Sequence, residues 1–117
     1  ASKYWPGALT IVIPASAKQS AHLTSDDLTI GLRIPNSNIA QSLLRETGPL
    51  LTSSANISGF KGSTTVEGIA RDFPSLKILG PIPWGERSGK ASTIIFWKKS
   101  GDWRMIREGE VLVRELY

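Results

Sequence analysis

The stretch Leu50-Leu51-Thr52-Ser53-Ser54-Ala55-Asn56-Ile57-Ser58-Gly59 sets two leucines directly before a run of small hydroxyl and amide side chains. Hydrophobicity stops at Thr52. The pattern predicts a buried strand that ends in a loop holding something polar. In an extended segment Ser54 and Asn56, two apart, point to one side. Together they offer a hydroxyl and an amide, and each can donate and accept hydrogen bonds. Gly59 permits a sharp exit with positive φ. The alternative is an ordinary turn, for which Ser, Asn and Gly are common choices. The residues by themselves leave both open.

Upstream of that stretch, Ser37 or Asn38 is placed to cap a helix. Ile39, Leu43 and Leu44 form its apolar stripe, Gln41 and Arg45 lie outside it, and Gly48-Pro49 ends it. Before the helix, Leu28-Thr29-Ile30-Gly31-Leu32-Arg33-Ile34 reads as a strand closed by Pro35. Alternation puts Thr29, Gly31 and Arg33 on one face. An arginine at a strand end, on a face kept open by a glycine, suits a carboxylate or a phosphate; a surface arginine on a half-exposed sheet fits equally. Leu9-Thr10-Ile11-Val12-Ile13 is β-branched and apolar, a buried strand ending at Pro14. Pro6-Gly7 marks a turn before it, and Trp5 is expected to be a core or interface anchor rather than a ligand platform. Residues 15–27 are small and polar, an exposed loop. His22, the single histidine, is read as a solvated member of it rather than a base or metal ligand.

Downstream, Lys61-Gly62-Ser63 bends the chain. Thr64-x-x-Glu67 reads as a capping box that opens a helix carrying Val66, Ile69, Ala70 and Phe73, stopped by Pro74. Leu76-Lys77-Ile78-Leu79 is expected to be a short strand. Residues 80–91 are irregular and rich in Gly and Pro. Their Gly89-Lys90 pair invites a P-loop reading, which fails: three residues separate Gly85 from Gly89, Ala91 follows the lysine, and strand formers come next. Ser92-Thr93-Ile94-Ile95-Phe96-Trp97 is a strong strand, residues 98–102 a hairpin turn, and residues 103–107 the returning strand. The tail, 111–117, fits either strand or helix.

The 117 residues suffice for one domain with a real core. Forty per cent apolar and 21% charged is ordinary globular composition. No apolar run reaches the length of a membrane span, and no secretory signal peptide is visible. With no cysteine, disulfides, thiolate metal sites and a cysteine nucleophile are excluded. A cytoplasmic setting is the expectation. The net charge of +4 suggests attraction to anions, nucleotide or RNA among them.

Five segments, in order, resemble the YrdC family of threonylcarbamoyl-AMP synthases, which serve the t6A modification of tRNA. They are Trp5-Pro6-Gly7-Ala8-Leu9-Thr10, Ile30-Gly31-Leu32-Arg33-Ile34-Pro35, Ser54-Ala55-Asn56-Ile57-Ser58-Gly59, Ser92-Thr93-Ile94, and Arg107-Glu108-Gly109. Ala8 departs from the second proline common in the family. The resemblance implies an α/β (α+β) fold, a twisted mixed β-sheet with flanking helices. It also implies a single partial domain over 1–117, because the family's Pro-Thr-Glu-Thr segment and Lys-x-Arg phosphate-binding segment are not in this sequence. On that view the chain resembles the later part of the domain and is expected to be inactive alone. It is further expected to self-associate or to meet a complementing N-terminal half.

Family activity is a nucleotidyl transfer. Bicarbonate and the threonine amine form a carbamate whose oxygen attacks the α-phosphate of ATP, releasing pyrophosphate; no covalent enzyme intermediate is needed. By resemblance, Arg33 holds the threonine carboxylate and Thr52 and Ser92 line the threonine site. Thr29, Ser54, Asn56 and Arg107 contact the nucleotide. Where some members use a serine, Gly62 offers only its backbone. Mg²⁺ accompanies ATP. No catalytic nucleophile and no protein-held metal are expected. Two other functions fit the same residues: a module binding tRNA or double-stranded RNA, and the related carbamoyl-transfer domain of hydrogenase maturation.

Overall fold

The β-branched run after Pro6-Gly7 forms the first strand of the computed structural model, which describes residues 1–16, 28–79, 89–98 and 101–114. The strands are β1 (Leu9–Pro14), β2 (Thr29–Leu32), β3 (Thr93–Trp97) and β4 (Trp103–Arg107); the helices are α1 (Asn38–Thr47) and α2 (Val66–Asp72). They make an α/β chain with one mixed sheet in the order β2-β1-β3-β4. β1 and β3 run parallel, with Leu9 opposite Thr93 and Val12 opposite Phe96. The outer pairs are antiparallel: Val12 faces Gly31 across β1–β2, and Trp97 faces Trp103 across β3–β4. The chain divides into two compact units, Ala1–Gln41 with Lys90–Tyr117, and Ser42–Gly89. Among the described residues no helix is long and apolar enough to cross a membrane.

In the first unit, period-two alternation sorts the sheet into two faces. Leu9, Ile11 and Ile95 are buried on one of them and are joined by Val113 from the tail. Tyr4, Trp5, Ile13, Trp97, Met105 and Val111 pack around this cluster. The Trp5 indole N–H donates to the Leu9 carbonyl at 2.8 Å, so the expected core anchor also satisfies its polar end. Each fully buried aliphatic chain contributes roughly 1.5–3 kcal/mol. The other face carries Thr10, Val12, Gly31, Ile94 and Phe96 and is half-buried to exposed.

Thr93 fixes the tail to the sheet. Its side chain is wholly buried; the hydroxyl donates to the Val111 carbonyl at 2.6 Å and accepts from the Val111 N–H at 3.1 Å. Valine would match its shape and strand both backbone groups. Thr93→Val is therefore expected to lower stability by about 2 kcal/mol, measured by chemical denaturation.

Three local expectations fail in the second unit. Leu50 and Leu51 form no strand and are 49% and 69% exposed. Leu76 and Leu79 likewise lie outside any strand and are exposed. A strand needs a neighbour for its backbone groups, and none occurs among the described residues of 42–89. The helix cap sits one residue later than the Thr64 box: Thr65 is the N-cap, and its hydroxyl accepts from the Gly68 N–H. α1 follows expectation. The Ser37 hydroxyl accepts from the Ala40 N–H at 3.3 Å, and Gly48 leaves the helix with φ +75°. Residues 17–27 of the expected loop, His22 among them, and residues 80–88 lie outside the described residues.

Candidate functional site

The open face of the sheet in the first unit gathers four polar side chains at the end where β1 and β3 begin. Arg33 lies one residue past β2, a step beyond the Ile11–Leu32 pair. Its Nε donates to the Gly7 carbonyl at 3.1 Å, and the Gly7 N–H donates to the Ile34 carbonyl at 2.9 Å. The Trp-Pro-Gly turn and the Arg-Ile-Pro segment are thus tied together at Gly7. A side chain at Gly7 would collide with the Tyr4 carbonyl. Anchoring through Nε fixes the plane of the guanidinium and leaves two terminal nitrogens in the fork geometry that suits a carboxylate.

Ser92 immediately precedes β3. The Thr93 N–H donates to the Ala8 carbonyl, placing Ser92 beside the start of β1. Its hydroxyl lies 3.1 Å from the Thr10 hydroxyl. Arg107, from the end of β4, reaches the same residue: Nε and Nη2 donate to the Ser92 carbonyl at 3.1 and 2.8 Å, and Nη2 approaches the Ser92 hydroxyl at 3.2 Å. Arg107 and Ser92, expected at the nucleotide and threonine sites respectively, are in direct contact. The Arg-x-Gly spacing explains how. Gly109 packs on the backbone of residues 91–93, where a Cβ would lie 2.5 Å from the Ser92 carbonyl carbon and the Thr93 nitrogen. The Glu110 N–H donates to the Ala91 carbonyl at 3.0 Å. The glycine lets the chain close onto β3, and the arginine two residues earlier covers Ser92.

Thr29 shares the face of Gly31 and Arg33 but pairs with Pro14 at the far end of β1. Four residues of strand, roughly 13 Å, separate it from Arg33. The sheet face therefore has a cationic end with Arg33, Ser92 and Arg107, and an uncharged end with Thr29.

The second unit holds Thr52, Ser54, Asn56 and Gly62. Thr52 and Ser54 are exposed in an irregular segment, so strand alternation does not set the direction of Ser54 and Asn56. Asn56 is half-buried, and its amide nitrogen donates to the Ile57 and Phe60 carbonyls, both at 3.2 Å. That closes the loop on itself, with Gly59 at φ +82° inside the turn. With its nitrogen so engaged, Asn56 has its amide oxygen for any ligand, an acceptor where both roles were expected. Gly62 lies against this loop; a Cβ there would be 3.4 Å from the Ala55 carbonyl oxygen and 3.6 Å from the Asn56 Cβ, ordinary contact distances. The loop is a built structure in which Asn56 organises the backbone.

The residue missed by sequence reasoning is Thr10. It was read as a strand former, yet its hydroxyl meets Ser92 across 82 residues of sequence. No local pattern announces a contact of that separation. Among the described residues no group of three or more His, Cys, Asp or Glu gathers as a metal cage.

The family model for Sua5/YciO/YrdC, described as telomere recombination, matches residues 1–109. The chain is 34% identical over 96 residues to the threonylcarbamoyl-AMP synthase of Bacillus subtilis, covering 80% of this chain and 28% of that protein. It is 38% identical over 97 residues to the synthase of Pyrococcus abyssi, covering 81% and 28%. A crystal structure of P. abyssi Sua5 complexed with L-threonine superposes with a TM-score of 0.80 at 31% identity, over 99% of this chain and 34% of that one. The chain thus spans about a third or less of the length of these relatives.

Proposed function

Because the chain belongs to the Sua5/YciO/YrdC family, we propose that it is a threonylcarbamoyl-AMP synthase-type domain and that the cationic end of its sheet takes the carboxylate of L-threonine. The observation that carries this is the pair of anchored arginines. Arg33 is held by Gly7 and Arg107 by Ser92, both in one unit and at one end of one sheet face. Guanidinium groups held in place before a ligand arrives need less ordering when it binds.

In the proposed reaction, threonine and bicarbonate give a carbamate whose oxygen attacks the α-phosphate of ATP. The bond from the α-phosphorus to the bridging oxygen breaks, and pyrophosphate leaves. The chain's residues orient and neutralise; none forms a covalent bond. Within the first unit Arg33 directs the carboxylate, Ser92 lines the threonine site, Arg107 offers positive charge to the nucleotide and Thr29 a hydroxyl. The second unit, taken by itself, offers the Asn56 amide oxygen and the hydroxyls of Thr52 and Ser54. Magnesium would arrive on the phosphates of ATP.

Calorimetric titration of the chain with L-threonine, with D-threonine as control, tests the reading. One site per chain with preference for the L-isomer is expected, and no heat with either isomer overturns it. A separate expectation concerns Gly62. Its surroundings leave ordinary contact distance for a Cβ, so Gly62→Ser should fold normally. Its new hydroxyl should raise ATP affinity several-fold, about the effect of one added hydrogen bond, read by fluorescence with a labelled ATP analogue.

A further inference from the structure

Thr10 is oriented from both sides. An ideal Cβ at Gly31 would lie 3.3 Å from the Thr10 methyl carbon, so the methyl faces β2 and fits there because residue 31 is glycine. The hydroxyl faces β3 and meets the Ser92 hydroxyl at 3.1 Å. A β-branched side chain has few χ1 choices, and packing on one branch fixes the other. Ser92 is then approached by two partners. Arg107 Nη2, at 3.2 Å, has only hydrogens to give, so Ser92 Oγ accepts from it. A hydroxyl has two acceptor positions and one proton.

We propose that Thr10 is a positioning residue that turns the Ser92 hydroxyl into a donor aimed at the bound substrate. This rests on the reading of the sheet face as a threonine site. A carboxylate only accepts. Beside one, Thr10 donates to Ser92, both acceptor positions of Ser92 Oγ are filled by Thr10 and Arg107, and the Ser92 proton is directed to a ligand oxygen. Thr10 touches no substrate itself; it acts through Ser92.

The test is L-threonine titration of the full chain and of Thr10→Val, Thr10→Ser, Ser92→Ala and the Thr10→Val/Ser92→Ala double variant, each first checked by thermal melting. Thr10→Val keeps the shape and removes the hydroxyl, and affinity should fall about tenfold. Thr10→Ser, which restores the hydroxyl, should recover most of it. In the Ser92→Ala background, Thr10→Val should change nothing further, as expected when one residue acts only through the other. Full affinity in Thr10→Val, or an equal loss with and without Ser92, overturns the inference while leaving the threonine site intact. A wild-type chain that takes up no L-threonine removes the site and the inference with it. Should Thr10→Val fail to fold, Thr10→Ala in the two Ser92 backgrounds decides: a loss of affinity with the Ser92 hydroxyl present and none without it supports the coupling, and equal losses refute it.

Discussion

Gly109→Ala should cost about 3 kcal/mol or more, a large share of the roughly 5–15 kcal/mol that holds a small domain together. The added Cβ would sit 2.5 Å from the Ser92 carbonyl carbon and the Thr93 nitrogen. These are backbone atoms of the strand entrance and cannot rotate aside as a side-chain end can. Relief requires moving the segment after β4 away from β3. That movement breaks the Glu110–Ala91 hydrogen bond and lifts Arg107 from Ser92. Overpacking a dense region commonly costs about 1–3 kcal/mol, and a clash with fixed backbone belongs at or above the top of that range. Urea denaturation of wild type and variant checks it, with Gly62→Ala as the comparison. The same added methyl at residue 62 meets atoms at 3.4 and 3.6 Å and should shift stability by no more than about 1 kcal/mol. Equal stabilities of Gly109→Ala and wild type would show that the segment does not pack on the strand entrance as described.

Arg33→Ala should lower L-threonine affinity about a hundredfold or more, and Arg33→Lys should restore little of it. The alanine variant loses the charge-assisted hydrogen bonds to the carboxylate, each stronger than a neutral bond, and no nearby group replaces their geometry. Lysine returns the charge as a point on a flexible stem without the planar fork, and it cannot span Gly7 and the ligand with fixed nitrogens. Because Arg33 also donates to the Gly7 carbonyl, part of any effect could come from a loosened turn. Thermal melting of each variant separates the two: an exposed hydrogen bond contributes about 1 kcal/mol at most, so a well-folded variant with abolished binding identifies the ligand role. Near-wild-type affinity in Arg33→Ala would show that the carboxylate is held elsewhere.

The four strands were legible because β1 and β3 are continuous β-branched, apolar runs, β2 alternates with the pleat, β4 returns from a polar turn, and Pro, Gly or polar residues bound them. The hairpin is an example. Lys98 and Asp102 close it, the Lys98 N–H donating to the Asp102 carbonyl at 3.0 Å, with Gly101 at φ +82°. Trp97 and Trp103 then face one another with ring centres 6.3 Å apart. Leu50-Leu51 and residues 76–79 misled for a physical reason. Two to four apolar residues show that burial is possible and do not supply a hydrogen-bonded neighbour. The capping box was displaced because Thr64 and Thr65 are both competent caps, and Thr65 was chosen by the helix start at Val66.

For the site, motif resemblance named Arg33, Ser92 and Arg107. Their arrangement was not legible, because it depends on β1 and β3 running parallel across nearly 80 residues of intervening chain. Gly7 reads as turn punctuation and Gly109 as the end of the Arg-x-Gly motif. Only the structure shows that each is a close approach of backbone to backbone, with a site arginine placed by it. Asn56 was read as a ligand-facing donor and acceptor, and its donor half proves to be internal.

The central claim is that the end of the open sheet face carrying Arg33, Ser92 and Arg107 receives the threonine carboxylate. The most direct measurement is an NMR titration of the isotope-labelled chain with L-threonine, following backbone amides together with the arginine Nε–H groups. The account predicts saturable shifts at Gly7, Arg33, Ser92 and Arg107, including the Arg33 and Arg107 Nε–H signals, while Ile11 and Ile95 on the buried face stay still. Saturable shifts that spare these four residues, or none at all at millimolar L-threonine, would contradict it.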